Sequence, residues 1–226
     1  KTLRKLKYIV RLYLKGEQSP KQKSARDYFH IANVIVNMGS KLIIGTVAAK
    51  KYKPEYVMFF DADDYVGNDI SAYVNSHSGE NGWVMAHGYK MEYNNVVPTY
   101  KWNSVCGTGN IFNHSLLLKY IGSDISVESN QDQLFEYIDS EFLLSIGWHM
   151  RHRRYFEDRG SPLLEYPTRS IVHLVGHEES SEYKRKIIQG KSLDGYLKKV
   201  PKVDEITPIN STLIGYFNIL PGNSTK

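Results

Sequence analysis

Cysteine is almost missing from this sequence: Cys106 is the only one in 226 residues. No intrachain disulfide can form, and a lone cysteine argues against a cysteine-based zinc site. A reducing compartment is the simpler setting. Long apolar runs are also missing. No stretch reaches the roughly 18 consecutive apolar residues of a membrane span, and no signal-peptide pattern opens the chain at Lys1. The expectation is a cytoplasmic protein. Charge of one sign is not dominant either: 29 Lys and Arg against 24 Asp and Glu give a formal +5 and a pI near 9.0. That is too mild to indicate nucleic acid, and it suits an anionic ligand such as a nucleotide, or a phospholipid surface. Internal repeats and low-complexity tracts are absent. Asn-x-Ser/Thr triplets begin at Asn113, Asn210 and Asn223, as a chain rich in Asn and Ser produces by chance.

What is present is an ordinary globular balance, 41% hydrophobic and 23% charged, enough for one sizeable core. Helix and strand signals alternate. Residues 2–14 fit either periodicity, and "KGEQSPKQKS" reads as a loop. A helix is expected from about Ser40 to Tyr52, capped by Ser40 and ended by Pro54. A strand buried on both faces follows from Glu55 to Asp61. Asn68 caps a short helix, "GWVMAHGYKMEY" reads as one strand, and "VCGTGNIF" as a strand broken by glycine. Asn113 caps "HSLLLKYIG". Residues 130–146 form the best helix, with Leu134, Ile138, Phe142 and Ile146 on one face. "SIVHLVGH" is another buried strand. The alternation is an α/β pattern with a mixed central sheet. Residues 1–178 form the expected single domain. The basic tail, 179–226, is a short helical extension lying on the domain or on a membrane surface.

One stretch carries chemistry: "YVMFFDADDYV" drives a buried strand into Asp61, Asp63 and Asp64. In α/β domains ligands gather at the carboxyl ends of strands. Adjacent carboxylates repel and raise one another's pKa unless a cation compensates. Asp61 and Asp63, two apart, can turn toward one ion, and an oxygen donor set suits Mg²⁺ or Mn²⁺ shared with a substrate phosphate. The plain alternative is a turn in which Asp caps the next element. An EF-hand loop fails, because Tyr65 and Val66 stand where a ligand and a glycine belong. A haloacid-dehalogenase-like phosphohydrolase also places Asp-x-Asp after a strand, but continues with Gly-Thr where this chain has Asp64-Tyr65.

"FFDADDYV", with the helix in "NMGSKLIIGTVAAKKYKPEYVMFFDADD" before it, resembles the DxD segment of GT-A glycosyltransferases, which transfer a sugar from a nucleotide-sugar. The resemblance covers about residues 35–180. It implies a metal-dependent hexosyltransferase using a nucleotide diphosphate sugar, with a UDP-sugar as the family's usual donor. The acceptor is a hydroxyl of a glycan, a lipid-linked group or a protein. Mn²⁺ or Mg²⁺ would bridge Asp61 and Asp63 to the donor diphosphate, and Asp64 would support the loop or face the acceptor. Lys41, Asp61, Asp63, Gly107 and Gly109 are the implied nucleotide-sugar contacts. The two glycines would let backbone approach a sugar, or equally mark a β-bulge.

"VHLVGHEE" resembles the His-x-x-Gly-x-x-Lys signature of glycogenin-like members. It implies His173 as third metal ligand, with His177 as runner-up. Glu179 replaces the lysine, for which Lys184 or Arg185 could substitute. In "SVESNQDQLFEYI", Asp132 stands where inverting members carry a base and Glu128 is second. Retaining members carry Asp-Gln-Asp there, so Gln131 and Asp132 serve either stereochemistry. The plain alternative for Asp132 is a helix-dipole contact. "RHRR", 151–154, is read as a solvated strand face or an acceptor contact. The family's opening strand and acidic turn are not evident in residues 1–38, so the expectation is a missing start or a shortened version in "LKYIVRLYL". A phosphohydrolase and a non-catalytic nucleotide-sugar-binding domain are the competing functions.

Overall fold

The computed structural model describes residues 25–92, 95–104, 106–175, 207–208 and 210–219. The expectations for residues 2–24, Gly176, His177, Glu179, Lys184, Arg185 and most of the basic tail lie outside the described residues. Among them the protein is mixed α/β, with seven α-helices and nine strands in two sheets. The chain divides into two compact units, residues 1–59, 79–84 and 110–164 in the first, and 60–78, 85–109 and 165–226 in the second.

The first unit is built on a long helix, α1 (Ala25–Ala49). The expected start at Ser40 is overturned, because the helix runs through it. Ser40 lies mid-helix, and the apolar spacing of Ala32, Ile35, Val36, Ile43 and Val47 continues the same buried face upstream. Phe29–Tyr52 is also long and apolar enough to cross a membrane by length and composition, which the sequence reading missed by seeking an unbroken apolar run. Lys53, in the left-handed region, and Pro54 end the helix as expected. α1 crosses a later helix backbone to backbone. A methyl on Gly39 would meet the Leu143 carbonyl at 2.7 Å, and one on Gly147 would collide with the Ile35 carbonyl.

Strands β1 (Tyr56–Phe59), β3 (Gly82–Met85) and β6 (Asn110–Asn113) join antiparallel around β6, with Met58 opposite Ile111 and Trp83 opposite Ile111. β1 is half-buried at every position rather than fully buried. β7 (Leu164–Tyr166) completes the order β1-β6-β3-β7. Asn113 caps α3 (His114–Ile121) as expected, its side chain accepting from Leu116 N–H. The expected helix over 130–146 is broken in two, α4 (Gln131–Tyr137) and α5 (Ser140–Gly147). Asp139 caps the second by accepting from Phe142 N–H at 2.9 Å. Asp serves a cap better than a helix interior, where its side chain competes for backbone groups. The expected apolar face survives the break: Leu134, Ile138, Phe142 and Ile146 are all buried. Each such side chain contributes about 1.5–3 kcal/mol through burial.

"RHRR" is helical rather than a strand, with Arg153 and Arg154 exposed to solvent. It enters α6 (His152–Glu157), and His152 is buried. The His152 Nδ1 accepts from the Asn110 amide at 2.8 Å and its Nε2 donates to the Ile146 carbonyl at 3.2 Å. Burial pushes this imidazole down to about 3, and pushes His149 down to about 4.

The second unit holds a five-stranded sheet in the order β2-β8-β4-β5-β9. Its members are β2 (Tyr65–Val66), β4 (His87–Glu92), β5 (Asn95–Tyr100), β8 (Ile171–Leu174) and β9 (Thr207–Pro208). The expected single strand "GWVMAHGYKMEY" is split at Ala86 between the two sheets, where the Ala86 carbonyl accepts from Trp102 N–H. β8 runs parallel to β4 and antiparallel to β2. α2 (Ile70–Ser76) starts after Asp69, one residue later than the Asn68 cap expected. α7 (Ser211–Phe217) packs Phe217 with Met91, Val96 and Val172.

Candidate functional site

The acidic stretch closes a turn, with Asp64 N–H donating to the Asp61 carbonyl at 3.1 Å. The chain then enters β2, and the pairing of β2 with β8 decides what Asp64 meets. Tyr65 lies opposite Val172 and Val66 opposite Ile171, so the same register carried one step back sets Asp64 beside His173. The contact is made: His173 Nδ1 donates to Asp64 Oδ1 at 2.7 Å. Leu174 N–H donates to the same oxygen at 3.3 Å, and the Cys106 thiol to Oδ2 at 3.4 Å. The Asp64 carboxylate is fully buried and the His173 side chain 17% exposed.

This buried carboxylate is therefore satisfied by three protein donors, which offsets the cost of burying its charge. The imidazole responds. Burial alone would lower its pKa, but the Asp64 hydrogen bond, the Cys106 contact and the Asp64 charge outweigh it and raise His173 to about 10. In the metal-free chain His173 is a cation at neutral pH.

Asp61 behaves differently. It is half-buried, and its carboxyl is pushed above the usual range by desolvation, then by the charges of Asp64 and Asp63. His173 and a hydrogen bond from Thr108 oppose the shift. Thr108 also fixes the backbone, its Oγ1 accepting from Asp61 N–H at 2.9 Å. Thr108 is itself held by its carbonyl, which accepts from the Trp102 indole at 2.9 Å. Asp63 is exposed.

The carboxylates of Asp61 and Asp63 are oxygen donors of the kind a hard divalent cation takes. Asp61 and Asp63 offer oxygens, and Asp61 lies in a field that disfavours its own charge, which a cation relieves. Asp64 is engaged with His173, Leu174 and Cys106. Its pairing also orients the His173 ring, as a carboxylate behind a ligating histidine commonly does.

Gly109 takes φ +105°, and a methyl there would meet Met85 Cγ at 2.6 Å and Ile171 Cγ1 at 2.9 Å. The close approach and the positive φ account for a glycine at this position. Gly107 lies in the same loop, half-buried. The other sequence-derived positions belong to the first unit. Lys41 is exposed on α1. Gln131 and Asp132 are exposed in the first turn of α4, whose Asn130 and Gln133 form a reciprocal cap. Glu128 is exposed ahead of it.

Sequence reasoning missed Cys106, Thr108 and Trp102 as partners of the acidic stretch, having read "CGTGN" through its glycines. It also left Asp64 without a defined partner. The Asp64 contacts span 42 residues to Cys106 and 109 to His173, and no local pattern announces them. Comparison with protein-family models, with curated proteins and with solved structures gives no match to this chain.

Proposed function

We propose that the protein is a metal-dependent glycosyltransferase of GT-A type, moving a hexose-type sugar from a nucleotide diphosphate sugar to a hydroxyl acceptor. The observation that carries this reading is Asp61, held half-buried by Thr108 against the charges of Asp63 and Asp64 at the start of the second unit. Such a carboxylate calls for positive charge, which a divalent ion supplies while its remaining positions take the donor diphosphate. Asp61 and Asp63 would hold Mn²⁺ or Mg²⁺, with the His173 nitrogen that does not face Asp64 as third donor. When bound, the ion stabilises charge on the departing diphosphate.

The chain's own residues divide the remaining work. Thr108 fixes the Asp61 backbone, and Asp64 sets the tautomer and orientation of His173. The resemblance makes Asp132 the group that takes the acceptor proton in an inverting reaction, with Gln131 beside it.

The test is release of nucleoside diphosphate from a panel of nucleotide-sugars with Mn²⁺. Asp63→Ala is expected to abolish both metal-dependent nucleotide binding and turnover. Asp132→Asn should cut turnover by about 100-fold or more and leave binding intact. Undiminished activity in the Asp63 variant sinks the proposal. A protein that binds the nucleotide-sugar and metal yet releases no diphosphate is the non-catalytic alternative. Trapping of Asp61 by a metal fluoride identifies the phosphohydrolase.

A further inference from the structure

The side chains of Asp64, Cys106 and His173 converge, with a carboxylate oxygen, the thiol sulfur and a ring nitrogen all within 4.8 Å of one another. We propose that these three residues form a second, inner metal site for a borderline-soft divalent ion, zinc above all, distinct from the oxygen site of Asp61 and Asp63 although His173 is shared between them. The inference stands on the cluster's geometry and does not depend on the glycosyltransferase reading. It also revises the expectation from sequence that one cysteine argues against zinc. One thiolate suffices when a carboxylate and an imidazole complete three protein ligands, the number found in open zinc sites.

The distances agree with that geometry. Tetrahedral zinc with bonds of about 2.0–2.3 Å separates neighbouring donor atoms by roughly 3.3–3.6 Å. Cys106 Sγ and Asp64 Oδ2 already stand 3.4 Å apart. His173 Nδ1 and Asp64 Oδ1, at 2.7 Å, share a proton and must open by roughly 0.6 Å to admit an ion. The occupants also balance in charge. Without metal, an N–H and an S–H both point at the Asp64 carboxylate. Binding releases those two protons and takes up one divalent ion, so the buried cluster keeps the same net charge. The thiolate selects zinc or cobalt over magnesium and manganese.

The inner site uses Nδ1 of His173, while the outer site proposed above would use Nε2. The two can therefore be separated experimentally. An ion held by Asp64, Cys106 and His173 ties together the strand entry at β2, the loop after Trp102, and β8. It acts as a staple across three distant segments.

The experiment is a Co²⁺ titration of the purified, chelator-stripped full chain, reading the thiolate-to-cobalt charge-transfer band. Cys106 is the only cysteine, so any such band reports its ligation. The expected result is a band saturating at one equivalent, lost in Cys106→Ser, kept in Asp63→Ala, and shifted to higher cobalt in His173→Gln. Zinc should raise the unfolding midpoint of the wild type and leave that of Cys106→Ser unmoved. Absence of the band in the wild type overturns the proposal. Its loss in Asp63→Ala overturns the separation of the two sites, and an unshifted midpoint in His173→Gln reduces the site to a cysteine binding metal alone. Turnover of Cys106→Ser with Mn²⁺ reports on the outer site independently, so failure of one reading is not failure of the other.

Discussion

His152, buried in the first unit, and His173, partly buried in the second, are histidines held in opposite states. His152 sits among apolar side chains with an amide and a carbonyl as partners, and burial holds it neutral, down to about 3. His173 sits against a buried carboxylate and is held protonated, up to about 10. Burial disfavours charge in both. The second unit spends a carboxylate, a thiol and a backbone N–H to reverse that outcome at one point, while His152 in the first meets an amide and a carbonyl. At His152 the polar partners serve packing, and at His173 they hold charge.

The largest expected effect tests the packing side. In Gly147→Ala the new methyl collides with the Ile35 carbonyl and comes within 3.0 Å of Gly39 N. Backbone cannot swing aside as a side chain can, so α1 and α5 must separate. The cost should be at least about 3 kcal/mol, read as a lowered urea midpoint or as failure to fold. Gly109→Ala in the second unit meets side-chain carbons of Met85 and Ile171 instead, although its φ of +105° adds strain. About 1–3 kcal/mol is expected there. Equal losses at the two glycines would remove the distinction between backbone and side-chain contact.

Next comes the charge side. Asp64→Ala leaves the His173 ring without its carboxylate and should cost on the order of 3–5 kcal/mol near pH 7, as breaking a buried pair does. It should also drop the His173 pKa below 6.5, seen by NMR titration of the ring protons in chelator. A ring that still titrates near 10 would show that Asp64 is not the cause.

The two histidines also predict opposite pH responses. His173 has a folded pKa raised above its unfolded 6.5. Its stabilisation is fully present below about pH 6.5 and is lost as pH rises through about 10. His152 and His149 have folded values lowered from 6.5 to about 3 and about 4. Their contribution is present above 6.5 and is lost as pH falls toward those values. Hydrogen exchange should therefore show amides of α6 loosening first in acid and those of β8 first in alkali, in chelator. Each pH unit between folded and unfolded pKa is worth about 1.4 kcal/mol, so the effects reach a few kcal/mol. The reverse order of loosening would contradict the comparison.

How much of this was legible beforehand follows the range of the interactions. Asn113 capping α3, Pro54 stopping a helix and the carboxylates after a strand are local patterns, and they were readable. The apolar face of 134, 138, 142 and 146 was readable too, but the break at Asp139 was not, because an i, i+4 spacing persists across a capped joint. Ser40 misled for the opposite reason: a good cap residue sits inside a helix whose core face continues on both sides. His152 lay within a run of arginines and was read with them, although its neighbour in space is Asn110. The Asp64–His173 contact depends on strand register across more than a hundred residues, which no window of sequence contains. Thus Asp61, Asp63, Asp64 and His173 could be named in advance, but the contacts that join Asp64, His173 and Cys106 could not.

The smallest effect sharpens the comparison most, because distance is nearly held constant. Arg159 and Glu141 in the first unit approach to 2.6 Å, about as close as His173 and Asp64 at 2.7 Å. Yet the Arg159 and Glu141 side chains are 31% and 36% exposed, against 17% and 0% for the inner pair. Solvent screens the first pair and its partners can rehydrate when it breaks, so Glu141→Gln should cost no more than about 1 kcal/mol. Added salt should shrink even that difference, since the Debye length falls to about 3 Å at 1 M. Asp64→Asn should cost several times more and change little with salt, because the Asp64 side chain itself is fully buried. Paired urea titrations of the two variants, at low and high salt, make the measurement. If Glu141→Gln proves as costly and as salt-insensitive as Asp64→Asn, then burial is not what separates the two units' use of charge.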